Sequence, residues 1–425
     1  MDKQERGKHI ISIAKNLKAV QKADARIASF LYATSDAGRL GLFISSIKSE
    51  GKADISRIRF LAAQEGFGFS ELVTQLLPWL EKAGLCLLER DSDGEITSIS
   101  SLVLAYTDLL SAVSDYYFSL EPSDEDKACI TIQDKVTKLP IPESVIRQEV
   151  AREFSEEIAH TAIQLLKAYK IVSISGEGND PVLYAPKVWA TLHPKASAAL
   201  SPLDRTDREV LLYLVNRVRE NQGYPETLLF KEAEENNVKH LLLMSIGIGL
   251  IDRTELYVSD GSKRIFLTTP HFYSDLADEF GEDMCDRVKI FLDSIRNGQY
   301  FGSVFTGRIL DPEVLLRALI NRGKIGPASA ISTDYIIAEK AGIIKVQRPE
   351  TGTRAYMEIG QEDTVKKVLE IVSSGDIEPG AQRMKVDDIS SGISFNSIEQ
   401  ARMNFDTSQE EMIELENEII KRLRE

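Results

Sequence analysis

The side chains able to do chemistry in this chain are few and scattered. Five histidines, at positions 9, 160, 193, 240 and 271, fall in different segments. None makes an HxH or HExxH spacing or stands beside an acid as a metal site requires. His160, within SEEIAHTAIQ, reads as a partly buried helical residue. Cys86, Cys129 and Cys285 lie far apart, so neither a disulfide framework nor a local thiolate zinc site can be built from them. No GxxxxGK[ST], strand-linked GxGxxG or GxSxG occurs; Gly176-Glu177-Gly178 reads as a turn and Gly247-Ile248-Gly249 as a helix end. The paired Asp387-Asp388 falls in a Gly-, Ser-, Asp- and Asn-rich stretch, a poor place to hold a preorganised site. No catalytic residue, cofactor or metal is expected. The chemistry left is cationic contact with phosphate. The 425 residues carry 51 Lys+Arg against 66 Asp+Glu, a net charge of −15, which opposes nonspecific attraction to polyanions, so any such contact must be local. Only residues 1–35, seven basic to three acidic, and residues 285–360, eleven to eight, form sizeable net-basic segments.

The elements that would position those cations recur in one order. In 36–107, GRLGLFISSIKSEG and ISRIRFLAAQEG read as helices, and a third helix runs through SELVTQLLPWLEKAG, kinked at Pro78, whose ring and missing N–H break the ladder. The strands LCLLER and EITSIS follow, joined at Asp93-Gly94, a strong hairpin signal. In 108–192 a leading helix near Leu109–Phe118 and an acidic insertion, EPSDEDK, precede two helices and the strands IVSIS and PVLYA. In 200–270, TDREVLLYLVNRVRENQ, PETLLFKEAEENN and VKHLLLMSIGIG precede LIDRTELYV and IFLTT. In 284–375, MCDRVKIFLDSIRNG, DPEVLLRALINRG and SAISTDYIIAEKAG precede IIKVQRP and RAYMEIG. Lys82-Ala83-Gly84-Leu85 and Lys340-Ala341-Gly342-Ile343 spell the same helix-to-strand junction, with Gly for a left-handed cap.

That order, three helices and a β-hairpin joined through the KAG-apolar junction, resembles the winged-helix variety of helix-turn-helix domain over about 300 residues. The fold expected is mostly α with small β wings: tandem winged-helix domains and a C-terminal helical tail. In relatives that bind duplex DNA the third helix enters the major groove and the hairpin reaches the backbone; many others dock proteins. The resemblance therefore implies a nucleic-acid surface on the fourth segment. Ser329, Ser332, Thr333 and Tyr335 would lie on its third helix, Lys345, Arg348 and Arg354 on its wing, and Arg317, Arg322 and Lys324 beside them. The 200–270 segment offers Lys239, His240, Lys263 and Arg264. The first offers Arg57 and Arg59, but its wing carries Asp91, Asp93 and Glu95 and would repel phosphate. A plain solvated face remains open for all of these.

Residues 1–35 read as a basic helix, favoured as an exposed amphipathic arm. Residues 376–425 read as an extended linker and then a helix, with Ser408 and Glu411 as a capping box and Met412, Leu415, Ile419 and Leu423 on one face, favoured to pack on this chain and otherwise to dock on another copy or another subunit. No stretch is long and apolar enough to span a bilayer, and the expected location is cytoplasmic. The role expected is a non-enzymatic DNA-associated or scaffold subunit of a larger nucleoprotein assembly. Double-stranded DNA and proteins such as an ATPase or nuclease are its expected partners, and a homo-oligomer is open. The alternatives are a sequence-specific transcription regulator and an accessory protein that recruits a nuclease or ATPase through its tail.

Overall fold

Helical period dominates the sequence and helices dominate the chain, with small antiparallel sheets between them. The computed structural model describes residues 1–19, 30–103, 106–176, 180–189, 192, 196–258, 263–272, 282–302, 308–350, 352–373 and 392–396. The chain divides into two compact units, Met1–Pro186 and Lys187–Glu425. Among the described residues no helix is long and apolar enough to cross a membrane.

The first unit opens with α1 (Lys3–Ala19), α2 (Tyr32–Glu50), β1 (Lys52–Asp54) and α3 (Ile55–Gln64). Helix α4 is continuous through Phe69–Glu71, a π-helical stretch Leu72–Leu76, and Leu77–Lys82; the π turns directly precede Pro78, where the ladder must give up a donor. The hairpin β2 (Cys86–Arg90) and β3 (Ile96–Ser101) follows, and α5 (Tyr106–Ser119) returns to pack on α1 and α2. Small residues permit that close approach: a Cβ on Gly7 would lie 2.1 Å from the Leu110 carbonyl oxygen, and one on Gly38 2.1 Å from Ala14 Cβ. Helix α1 is thus a core element rather than the exposed arm expected. Ile10 and Ile13 are fully buried, Lys3 pairs with Asp115, and Arg6 donates to Ser114. The apolar face simply outweighed the basic one.

Next come α6 (Asp124–Lys138), β4 (Ile141–Pro142), α7 (Glu143–Glu153), α8 (Glu156–Ala168), β5 (Ser173–Ser175) and β6 (Val182–Tyr184). The acidic run before residue 128 is a helix start. Ser123 caps α6, and Asp124, Glu125 and Asp126 fill its first turn, where the helix dipole favours negative charge. Asp126, almost fully buried, accepts from the Thr34 hydroxyl and from the Thr34 amide at 3.1 Å, which ties off the start of α2. His160, expected to be partly buried, faces solvent on α8.

The second unit contains α9 (Ala196–Leu200), α10 (Arg205–Glu220), β7 (Tyr224–Pro225), α11 (Glu226–Glu235), α12 (Lys239–Gly247), β8 (Asp252–Val258) and β9 (Lys263–Thr268). It continues with α13 (Glu282–Tyr300), α14 (Pro312–Arg322), β10 (Lys324–Ala328), α15 (Ser329–Thr333), α16 (Ile336–Lys340), β11 (Ile344–Gln347), β12 (Ala355–Ile359), α17 (Glu362–Ser373) and β13 (Gly392–Asn396).

One order governs four blocks, residues 32–101, 124–184, 205–268 and 312–359: helix, short strand, helix, helix, hairpin. In each sheet the short strand pairs with the last strand of the hairpin, and in the third β13 adds a fourth strand outside β8. The helix-to-hairpin junction is common to all four. A residue with positive φ (Gly84 71°, Lys170 55°, Gly249 82°, Gly342 71°) ends the third helix. The next amide then reaches back five residues, Leu85 to Leu80, Ile171 to Leu166, Leu250 to Ser245 and Ile343 to Ala338, at 2.8–3.0 Å.

The fourth block departs from the expected order. SAISTDYIIAEKAG is two short helices, α15 and α16, so α14 is the first helix of the block and α13 stands before it. The break falls at Asp334, whose carboxylate accepts from the Thr333 hydroxyl at 2.7 Å, while Ser332 donates to the Thr353 carbonyl at 2.8 Å. Short polar side chains here bond locally instead of continuing the helix.

Candidate nucleic-acid interface

The first and fourth blocks correspond in sequence and strand register at their sheets. EKAGLCLLER (81–90) and EKAGIIKVQR (339–348) share Glu, Lys, Ala, Gly and Arg. Ser101 donates to the Gly51 carbonyl as Ile359 does to Gly323, and Leu102 to Leu85 as Gly360 does to Ile343. In both, the terminal Arg grips the Glu with two bonds: Arg90 to Glu81 at 3.0 and 2.6 Å, and Arg348 to Glu339 at 2.9 and 2.6 Å. The Arg348 hydrogen bonds hold the Glu339 carboxyl below its usual range, and Glu339 raises Arg348 in turn. Arg348, expected to meet phosphate, pairs here with Glu339 and links β11 to α16.

Cross-strand register sets the outer face of the fourth sheet. Lys324 and Lys345 both stand opposite Glu358, and Gln347 stands opposite Tyr356. Alternation sends Met357 inward, where it is fully buried. Lys324 reaches Glu358 at 3.2 Å, bonds Gln347, and lies 4.7 Å from the Tyr356 ring centroid. Lys345, Arg354 and Arg322 are exposed and make no ion pair among the described residues. Arg317 is held by Glu313 one turn back at 2.7 Å.

The segment expected to form one reading helix is divided. Ser329, Ser332 and Thr333 belong to α15, and Tyr335, 3% exposed, is a core residue. Helix α16 has five residues; its Ala338 is buried, and its Ile337 clusters with Leu256 and Phe266 of the third block. In the third block α12 is apolar nearly all round and buried along Leu241, Leu242, Met244 and Ile246. Lys239 at its start meets Glu234 at 3.1 Å, Lys263 meets the buried Glu255 at 3.0 Å, and Arg264 lies 4.2 Å over the Phe301 ring. His240 is half-buried at the start of α12.

The first block, disfavoured for phosphate by its acidic wing, carries a second surface in which its arginines join exposed rings that the sequence did not single out. In the first block Arg57 lies 5.4 Å from the Phe60 ring and Arg59 4.9 Å from the Phe69 ring, and both rings are exposed. The hairpin acids beside it build their own turn: Asp91 accepts from the amides of Asp93 and Glu95 at 3.0 and 2.9 Å. Exposed aromatic and guanidinium groups are enriched at protein interfaces. The tail residues Met412, Leu415, Ile419 and Leu423 lie outside the described residues. Among the described residues no three His, Cys, Asp or Glu side chains gather to hold a metal ion.

No protein-family model matches the chain, and no curated protein or solved structure matches it.

Proposed function

We propose that the chain is a non-enzymatic, cytoplasmic scaffold subunit of a nucleoprotein assembly, built from tandem winged-helix blocks. It touches duplex DNA through the wing of the fourth block and proteins through the other blocks. The first–third–second strand order in all four sheets and the shared helix-to-hairpin junction support the winged-helix reading. The observation that carries the functional reading is the outer face of the fourth sheet. There Lys324, Lys345 and Tyr356 share one face, with Arg354 and Arg322 exposed at its margins. Contacts of that kind are to backbone phosphate and position a protein without selecting a sequence. A buried α12 and a five-residue α16 weigh against the operator-binding regulator, which needs a presented reading helix.

The test is fluorescence anisotropy of the full chain with labelled duplexes of unrelated sequence, across 50–200 mM salt. Each cation that meets phosphate contributes about −0.9 to the slope of log K against log salt. Changing Arg322, Lys345 and Arg354 together to Glu should weaken binding at least tenfold on every duplex and flatten the slope by about three. Unaltered binding would reject the wing surface, and a strong preference for one duplex would restore the regulator.

A further inference from the structure

Four sheets of one design present four hairpin edges, and among the described residues the chain adds a strand of its own to one of them. β13 lies antiparallel on β8, with Gly392 opposite Val258, Ser394 opposite Tyr257, Phe395 opposite Leu256 and Asn396 opposite Glu255. The same strand packs beside α16 of the fourth block. Length and an uncharged end favour β8 as the covered edge. The corresponding strands β2 and β11 run into charge, Glu89-Arg90 and Gln347-Arg348-Pro349, which discourages added strands, and β5 has three residues. β8 has seven residues; it carries Asp252, Arg253 and Glu255, but its uncharged end Leu256-Tyr257-Val258 makes three of the four pairings with β13, and Glu255 faces the neutral Asn396.

We propose that the outer edge of β8 is a strand-addition site that accepts residues 392–396 from a second copy of the chain as well as from its own, so that two copies exchange tails. The ladder consists of backbone hydrogen bonds, and these are the same whichever copy supplies the strand. The segment hangs from α17 by residues 374–391, eighteen residues that extended could span up to about 60 Å. A connection of that chain length is enough to carry the strand to the β8 edge of a second copy in concentrated solution. The partner identified by this chemistry is another copy of the same chain.

The experiment uses full-length protein. Successive strand amides point to opposite sides, so changing both Ser394→Pro and Phe395→Pro removes a donor toward β8 whichever one faces it. Light scattering should show wild-type mass rising from monomer toward dimer with concentration, while the double-proline variant stays monomeric. A labelled peptide of residues 388–400 should bind that variant one to one, and bind wild type at least tenfold more weakly because its site is filled. A wild-type mass independent of concentration, or a peptide that binds neither protein or both equally, would overturn the proposal. A readout that leaves the tail ladder intact mixes one chain carrying Tyr257→Cys with another carrying Ser394→Cys. Mild oxidation should yield a covalent pair of different chains, and its absence at high concentration would also overturn it.

Discussion

In the first block Lys52 is neutralised by Glu89, and the outer positions beside that pair are Leu87, Ser100 and Leu102; Leu87 is 57% and Leu102 42% exposed. In the fourth block the same places are held by Lys324, Gln347, Lys345, Glu358 and Gly360. The lysine keeps a carboxylate partner, Glu358 in place of Glu89, and adds a hydrogen bond to Gln347, while an exposed leucine has become a lysine. Beneath these faces the scaffold is unchanged: the left-handed Gly, the Arg–Glu staple and the buried central strand recur. The difference teaches that the junction and the core carry the architecture while the outward residues are free to set the partner. An apolar strip suits protein, and a basic strip with a tyrosine suits phosphate.

The comparison can be broken most severely in the core. Ile99 and Met357 occupy the same central-strand position and are both fully buried. Ile99→Ala and Met357→Ala should each cost about 2–5 kcal/mol in the stability of their own unit, read by denaturant unfolding. A large loss from only one would show that the blocks are not equivalent.

A pH experiment sharpens the contrast, because the fourth block carries a buried acid in its helical break. Burial pushes the Asp334 carboxyl up to about 6, against a hydrogen bond from Thr333 that lowers it. The folded state therefore holds a proton that the unfolded chain has released near pH 4. Its stabilisation is complete below that value and is lost as pH rises through about 6. Relative to wild type, Asp334→Asn should gain stability as pH rises from 4 to 7, by on the order of 1–3 kcal/mol in thermal or chemical unfolding. A pH-independent difference between the two proteins would refute the assignment.

The smallest effect is expected at the staple. Arg348 is part-exposed, so Arg348→Ala should lower the melting temperature by only about one to three degrees. The difference from wild type should vanish in acid as Glu339 takes up its proton, since a carboxyl held below its usual range stabilises only while ionised. Because this guanidinium is already engaged, duplex binding should stay within about twofold of wild type. A tenfold loss would return Arg348 to the contact surface.

Much of this architecture could be read from residue order, for physical reasons that are local. The left-handed Gly84 and Gly342 are set by backbone sterics within a few residues and appear where expected; the hairpin also turns at Gly94, but it closes from Asp91 to Glu95 around three residues rather than the two expected. The strands β1, β4, β7 and β10 were missed because two to five residues carry too little alternation to register, and their partners lie far along the chain. The split at Asp334 was hidden by an apolar pattern that suits one helix as well as two. Of the expected phosphate contacts, Lys345, Arg354 and Arg322 stand exposed, while Lys239, Lys263, Lys324 and Arg348 each meet a carboxylate. Composition counts charges but does not pair them across a hairpin. The Glu339–Arg348 pair was nevertheless visible in principle, because EKAG followed six residues later by Arg is spelled twice.

The central claim is that the fourth block's outer sheet face meets phosphate and the first block's does not. Its most direct test is the slope of log K against log salt for duplex binding by two matched full-length variants. Lys345→Leu with Gln347→Glu gives the fourth face the leucine and glutamate of the first, and should reduce the magnitude of the slope by about one to two. Lys52→Ala removes the cation of the first face and should leave the slope at its wild-type value. Equal reductions in both variants, or a reduction only in Lys52→Ala, would contradict the account.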